Sequence, residues 1–230
     1  MKTISTLFAL LVSISAFSQD IFSETDAFLK SNVKDGLVNY AGIKRNPAAL
    51  NALMNKYAEA KTFDGPKEKA FLINAYNIFV IKGIVDHYPV EGPVKIGGFF
   101  TKKKFKLRGS PITLNDLEKA KLAKGFPDAR LHFVLVCAAI GCPKLASFAY
   151  TADKLEQQLE EQTRKVINDP TFIRTKGPEL SISQLFDWYA TDFGGKDKVV
   201  PFIQKYHLTK VKFSPKYSFY EYDWKLNQLK

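Results

Sequence analysis

Beyond its first 18 residues, the most apolar stretch of the chain runs from Lys67 to Tyr88 and reads EKAFLINAYNIFVIKGIVDHY from its second residue. Apolar side chains fall on nearly every face of a helix built from it, which predicts a helix buried on all sides at the centre of the fold. Polar residues, Lys82 among them, interrupt a run that is already short for a membrane span. We therefore expect a globular core around this helix and no transmembrane span in the mature chain.

Two asparagines on this helix are the first candidate site residues. Asn74 and Asn77 are three positions apart and therefore share one helix face. A buried amide without partners costs about 1–3 kcal/mol, so two of them imply either a polar network or a pocket that they line. Both interpretations stay open: structural amides that hold a neighbouring loop, or a substrate-binding pair.

The composition is that of an ordinary globule, with 230 residues of which 46% are hydrophobic and 25% charged, and it excludes disordered, collagen-like and coiled-coil chains. Turn residues predict β-hairpins over Phe99–Leu114 and Phe172–Ile182, with helical patterns interleaved irregularly. We expect residues 19–230 to form a single compact α+β domain, with the buried central helix packed on a mainly antiparallel sheet. Papain-like and transglutaminase-like folds are an analogy only, because they place a cysteine where this helix has asparagine.

The first 18 residues have the layout of a secretory signal peptide. Lys2 precedes an apolar run from Leu7 to Val12, and small residues surround Phe17 ahead of a cleavage site after Ser18. This pattern predicts a protein that is exported to the periplasm or secreted. Its thiols would then lie in an oxidising compartment.

A second apolar run, Leu131–Ala139, reads LHFVLVCAA and has the length of a strand covered on both faces. Strand parity would place His132 and Cys137 on opposite faces, about 16 Å apart. The following residues turn the chain and deliver Cys142. Cys142 would reach His132 only if the chain folds back along the strand.

These residues suggest thiol catalysis. A thiolate is a strong nucleophile, and a neighbouring imidazolium lowers the pKa of its thiol. In this hypothesis Cys142 is the nucleophile, His132 the base and Glu118 the group that orients the imidazole, and the reaction is hydrolysis or acyl transfer at an amide or ester. The two asparagines would help to hold the substrate.

The alternative is a disulfide between Cys137 and Cys142, which flank the short segment AAIG. A tight reversal there would bring their Cα atoms within the roughly 4.4–6.8 Å that a disulfide requires. The protein would then be a non-catalytic, disulfide-closed binding module for an anionic ligand or an envelope partner.

Charge gives this alternative some support. The net charge is +11, and the segment TKKKFKLR from Thr101 to Arg108 contributes five cations. Without a recognised motif, a solvated edge strand protected by lysines is favoured over nucleic-acid binding, and we expect no nucleic-acid partner. The spacing H-x4-C-x4-C matches no standard zinc pattern, so we expect neither a metal nor a cofactor.

The ordered segments FLINAYN, LHFVLVCAAIGCPKL, AYTADKLEQQL, LFDWYATDF and YDWKLN are similar to those of a known family. The chain resembles the exported bacterial members of the family catalogued as domain of unknown function 547, over about Val38 to Asn227. The positions that match the family's motifs are Asn74, Tyr76, Asn77, Glu118, Arg130, His132, Cys137, Cys142, Pro143, Tyr150, Trp188 and Asp192.

The resemblance implies no particular reaction. The resemblance adds Tyr76, Arg130 and Trp188 to the predicted substrate-binding residues, which already include the two asparagines. The expected partner is an unidentified small molecule or an envelope component, which the basic charge suggests is anionic.

Overall fold

The computed structural model describes residues 20–230. Its α-helices are α1 (Ile21–Asn32), α2 (Tyr40–Arg45), α3 (Ala48–Glu59), α4 (Gly65–His87), α5 (Leu114–Asp116), α6 (Leu155–Ile167), α7 (Leu185–Trp188) and α8 (Lys196–Tyr206). Its strands are β1 (Val33–Lys34), β2 (Leu37–Val38), β3 (Lys104–Leu107), β4 (Ser110–Thr113), β5 (Ile173–Lys176), β6 (Glu179–Ser183) and β7 (Tyr217–Tyr220). The predicted α+β class is confirmed. The predicted signal peptide lies outside the described residues.

The predicted central helix is confirmed as α4, which has 23 residues and is buried almost continuously from Lys69 to Val85. Pro66 lies in its first turn, where a missing N–H costs nothing. The helix contacts α1, α2, α3 and the segment that follows α5. It is therefore enclosed mainly by other helices, and the sheets around it are small. Among residues 20–230 no helix has both the length and the apolar character needed to cross a membrane.

Both predicted hairpins are present. Strands β3 and β4 pair antiparallel with Leu107 opposite Ser110, so the turn consists of Arg108 and Gly109, one residue earlier than the Gly-Ser-Pro sequence suggests. Strands β5 and β6 form the second hairpin, and β7 adds to β6 in parallel.

The segment Leu131–Ala139 is not a strand, which corrects the sequence prediction. A 3-10 helix covers Ala129–Phe133, and the chain then continues without regular structure. A short apolar run shows only that a segment is buried, because buried strands and other buried segments have the same composition. The strand-parity argument on His132 and Cys137 therefore no longer applies.

The apolar interior has two parts. One surrounds α4, and the other is built from β5, β6 and α8 around the aromatic rings of Phe133, Phe186 and Phe193. The irregular segment after the 3-10 helix runs between them, since Phe133 belongs to the second part and Val134 to the first. His132 lies at this boundary.

Candidate functional site

The two asparagines of α4 clamp the irregular segment. Asn74 donates its amide to the Tyr150 carbonyl at 2.8 Å and accepts from the Tyr150 N–H at 2.9 Å. Asn77 donates to the Val134 carbonyl at 2.9 Å and accepts from the Val136 N–H at 3.0 Å. The amides thus replace the sheet partner that this stretch lacks. These contacts agree with the structural interpretation, and a substrate-binding role for either residue stays a prediction.

Beyond the second clamp, the chain reverses and brings two thiols together. Ala138 adopts a positive φ of 65°, a left-handed conformation that is uncommon for a residue with a Cβ. The Cys142 N–H then donates to the Ala139 carbonyl, and the Sγ atoms of Cys137 and Cys142 lie 2.8 Å apart. The Cys137 N–H also donates to Cys142 Sγ at 2.9 Å. Both thiols are free.

The C-terminal tail holds this reversal from outside. The Ile140 N–H donates to the Lys225 carbonyl, and the Gly141 N–H donates to the Asp223 carbonyl, each at 2.8 Å. In the other direction, the Asn227 N–H donates to the Ala138 carbonyl at 3.0 Å. The tail also contributes Tyr222, whose hydroxyl lies 3.2 Å from Cys137 Sγ.

The two thiols differ in acidity. Burial acts to raise the pKa of Cys137, but hydrogen bonds with Cys142 and Tyr222 outweigh it and hold the pKa below its usual value. Burial, together with the neighbouring Cys137, raises the pKa of Cys142 well above its usual value. Cys137 is also the less deeply buried of the two. These contacts therefore favour Cys137, rather than the predicted Cys142, as the thiolate.

An aromatic cluster adjoins the thiol of Cys137. The ring of Tyr222 lies 4.9 Å from that of Trp188 and 4.6 Å from that of Trp224. Trp188, one of the predicted substrate-binding residues, is 48% exposed. It therefore offers a flat apolar surface to solvent next to the group that contacts the thiol.

His132 has a carboxylate partner that is remote in sequence. Its Nε2 lies 2.7 Å from Asp192 Oδ2, and its ring stacks on Tyr189 with centroids 3.9 Å apart. Burial lowers the pKa of His132 despite its hydrogen bond to Asp192 and the nearby charge of Glu118. In the neutral ring Nε2–H donates to the carboxylate, which leaves Nδ1 as the basic nitrogen. Within residues 20–230, His132 has no hydrogen bond to either thiol.

Glu118 and the tyrosines form the next layer. Glu118 lies in a π-helical segment, Leu117–Ala123, and accepts hydrogen bonds from the Tyr189 hydroxyl at 2.8 Å and the Tyr76 hydroxyl at 3.4 Å. Burial, followed by the charge of Glu118, raises the pKa of Tyr76 and of Tyr189. Both phenols therefore stay neutral and act as donors.

A small pocket of about 190 Å³ opens beside these groups and is lined by Glu118, His132, Asp128 and Asp192 among others. The structure thus brings together two of the predicted catalytic residues, Glu118 and His132. The third, Cys142, does not line this pocket. It borders a separate groove of about 990 Å³.

Arg130, predicted to bind substrate, is engaged in ion pairs. Its guanidinium contacts Asp128 and Glu156, each at 2.8 Å, and Asp128 also binds the buried Lys69 at 2.6 Å. Burial tends to raise the pKa of Asp128, but Arg130 and Lys69 lower it to about 2. These contacts give Arg130 a structural role, and its binding role stays a prediction.

Three residues of this region were not assigned to the site from the sequence: Tyr189, Asp192 and Tyr222. The segments LFDWYATDF and YDWKLN contain them, but nothing local marks their partners, which lie 60 to 85 positions away. Within residues 20–230, no group of three or more His, Cys, Asp and Glu side chains is placed to hold a metal ion.

Comparison with known proteins supports the family resemblance. The model of the family described as "Protein of unknown function, DUF547" matches residues 60–167. This interval contains α4, Glu118, His132 and both cysteines. It is shorter than the span expected from the sequence and leaves Asp192 and Tyr222 outside. No curated protein and no solved structure matches the chain significantly.

Proposed function

We propose that the protein is a thiol-dependent enzyme that hydrolyses an amide or ester, or transfers its acyl group, with Cys137 as the nucleophile. The observation that carries the proposal is the pair of side-chain contacts on its sulfur, Cys142 Sγ at 2.8 Å and the Tyr222 hydroxyl at 3.2 Å. The thiolate is the reactive form of cysteine, and hydrogen bonds to the charged form favour it.

The reaction then follows from these groups. The Cys137 thiolate attacks the carbonyl carbon, a C–S bond forms, and the bond to the leaving alcohol or amine breaks as that group takes up a proton from solvent water. Cys142, whose high pKa keeps it protonated, holds an S–H next to the reacting sulfur. Water completes hydrolysis of the thioester, and another nucleophile completes acyl transfer.

His132 does not serve as the direct base for the thiol in this proposal, because its Nε2 is occupied by Asp192. His132 lines a pocket together with a carboxylate, Glu118, and such a pocket suits a bound water or a small polar group. Export, and membership of the exported bacterial type of the family, are also part of the proposal and rest on the first 18 residues.

The test has two arms. First, the native protein is treated with limiting iodoacetamide near neutral pH and digested; we expect Cys137 to be labelled well before Cys142. Second, p-nitrophenyl acetate should release nitrophenol in a burst and leave an acetyl group on Cys137. Cys137→Ser should abolish both, whereas Cys142→Ser, in which a hydroxyl can still donate to Cys137, should retain the acetylation at a lower rate. Preferential labelling of Cys142, or an unchanged burst in Cys137→Ser, would refute the proposal.

The sulfur–sulfur contact also favours a second candidate, the disulfide-closed binding module. Sulfurs 2.8 Å apart need only a small shift and an oxidant to bond. Of the lysines in the basic hairpin, Lys103 is already paired with Asp86, which leaves Lys102, Lys104 and Lys106 to meet an anionic ligand. Intact mass before and after alkylation without reductant separates the candidates: no labelling even after denaturation would favour the module.

A further inference from the structure

We propose that the loop between α8 and β7, residues 207–216, docks the protein on a membrane surface that carries anionic phospholipids. The starting observation is an exposed apolar pair on this loop: Leu208 is 79% exposed and Val211 is 46% exposed. Phe219, on the following strand, is 38% exposed. Single exposed apolar residues are ordinary, but three of the six large ones exposed within residues 20–230 fall within these twelve positions.

Cations surround the apolar pair. Lys205, Lys210, Lys212 and Lys216 are all exposed, and none of them forms an ion pair with a described residue. The chain from Lys205 to Lys216 contains no aspartate or glutamate. The neighbouring hairpin contributes Lys176 and Glu179, which offset each other. The loop therefore carries a local excess of positive charge, which surrounds the aliphatic side chains of Leu208 and Val211.

The loop is anchored in this conformation. Its backbone N–H groups at Leu208 and Phe213 donate to the side chains of Asn168 and Gln204, at 2.8 and 2.9 Å. Ser214 donates to the Pro178 carbonyl at 2.8 Å, and Phe213 is buried. Presenting Leu208 and Val211 outward thus requires no rearrangement and no additional loss of chain entropy on docking.

The lysines and the exposed apolar side chains of the loop together favour an anionic membrane as the partner. Lysines close to an anionic bilayer strengthen binding about fivefold each, and aliphatic side chains enter the boundary between headgroups and acyl chains. The phosphates of a nucleic acid would pair with the lysines, and its bases would stack on aromatic side chains. Leu208 and Val211, however, would stay in water. A membrane surface accounts for both features.

The experiment is co-sedimentation of the full protein with vesicles of phosphatidylcholine alone or mixed with phosphatidylglycerol. We expect binding only to the mixed vesicles, and a decline as salt increases. Lys210→Glu with Lys212→Glu should weaken binding at least about 25-fold. Leu208→Ser with Val211→Ser, which keeps the charge, should weaken it about tenfold.

Lys121→Glu with Lys124→Glu is the matched control, because it makes the same change of charge at two exposed lysines outside the loop. Every protein compared keeps the same N-terminus, so any contribution of residues 1–19 is common to all. Thermal unfolding checks that the variants fold. Equal losses in the control and the loop variants would overturn the proposal, as would full binding by either loop variant. Binding to duplex DNA without binding to vesicles would overturn it as well.

Discussion

The thiols of Cys137 and Cys142 are in contact, yet their pKa values are shifted in opposite directions. The difference arises because hydrogen bonds with Cys142 and Tyr222 outweigh burial at Cys137, whereas burial dominates at Cys142. In a pair of this kind, loss of the first proton makes the second much harder to remove.

Tyr222→Phe removes one donor from Cys137 and leaves the aromatic ring in place. The pKa of Cys137 should rise, and alkylation near neutral pH should slow about fivefold, as expected for the loss of a hydrogen bond worth about 1 kcal/mol. Iodoacetamide labelling over a pH series measures this. Tyr217→Phe, whose hydroxyl contacts the Lys196 carbonyl, is the control and should label at the original rate. An unchanged rate in Tyr222→Phe would show that the hydroxyl does not support the thiolate.

Asn77→Ala should lower the free energy of unfolding by about 3 kcal/mol. Two buried main-chain groups, the Val134 carbonyl and the Val136 N–H, would lose their partner at once. Urea unfolding measures the change, and Asn51→Ala on the exposed face of α3 should change little. Similar values for the two variants would mean that the clamp is dispensable.

Asp128 makes the fold sensitive to acid. Its pKa is about 2 in the folded protein against 3.8 normally, so it stabilises the fold by about 2 kcal/mol above pH 3.8. This stabilisation should be lost as the pH falls from 3.8 to about 2, because the unfolded chain binds the proton at a higher pH than the folded chain does. Asp128→Asn should flatten the pH dependence of urea unfolding there. It should also destabilise the fold at neutral pH, since Lys69 would stay buried without its partner.

His132 acts in the same direction at higher pH. Burial lowers its pKa below 6.5, so below that pH the unfolded chain binds more protons than the folded one. The free energy of unfolding should therefore decrease as the pH falls through 6.5. His132→Gln should remove this part of the slope, which chemical unfolding at several pH values would reveal. An identical slope in the variant would assign the effect to other groups.

Local sequence patterns predicted the elements whose contacts are local or whose burial is continuous. α4 followed from its apolar length, and the hairpins followed from the glycine and proline residues at their turns. Leu131–Ala139 was misassigned because the Asn77 side chain of α4, rather than a neighbouring strand, bonds to the middle of the segment. The spacing of apolar residues within the segment does not show whether a side chain or a strand will be its hydrogen-bond partner.

The site was predictable to a smaller extent. The residue types at Glu118, His132 and the cysteines indicated chemistry, but their partners could not be read from spacing. Asp192 reaches His132 across 60 positions, and Tyr222 reaches Cys137 across 85. The acidity of Cys137 depends in part on the long-range contact with Tyr222, so spacing in the sequence could not indicate which thiol is the more acidic.

Backbone hydrogen bonds join the turn between the two cysteines, here called the cysteine turn, to Asp223, Lys225 and Asn227. These bonds have a consequence for the synthesis of the protein. During synthesis, both cysteines leave the ribosome some 80 positions before the groups that shape their environment. A nascent or prematurely terminated chain would carry the thiols without the tuned acidity of the finished site. Reactivity at Cys137 would therefore report that residues 222–227 had been synthesised and had docked on the cysteine turn.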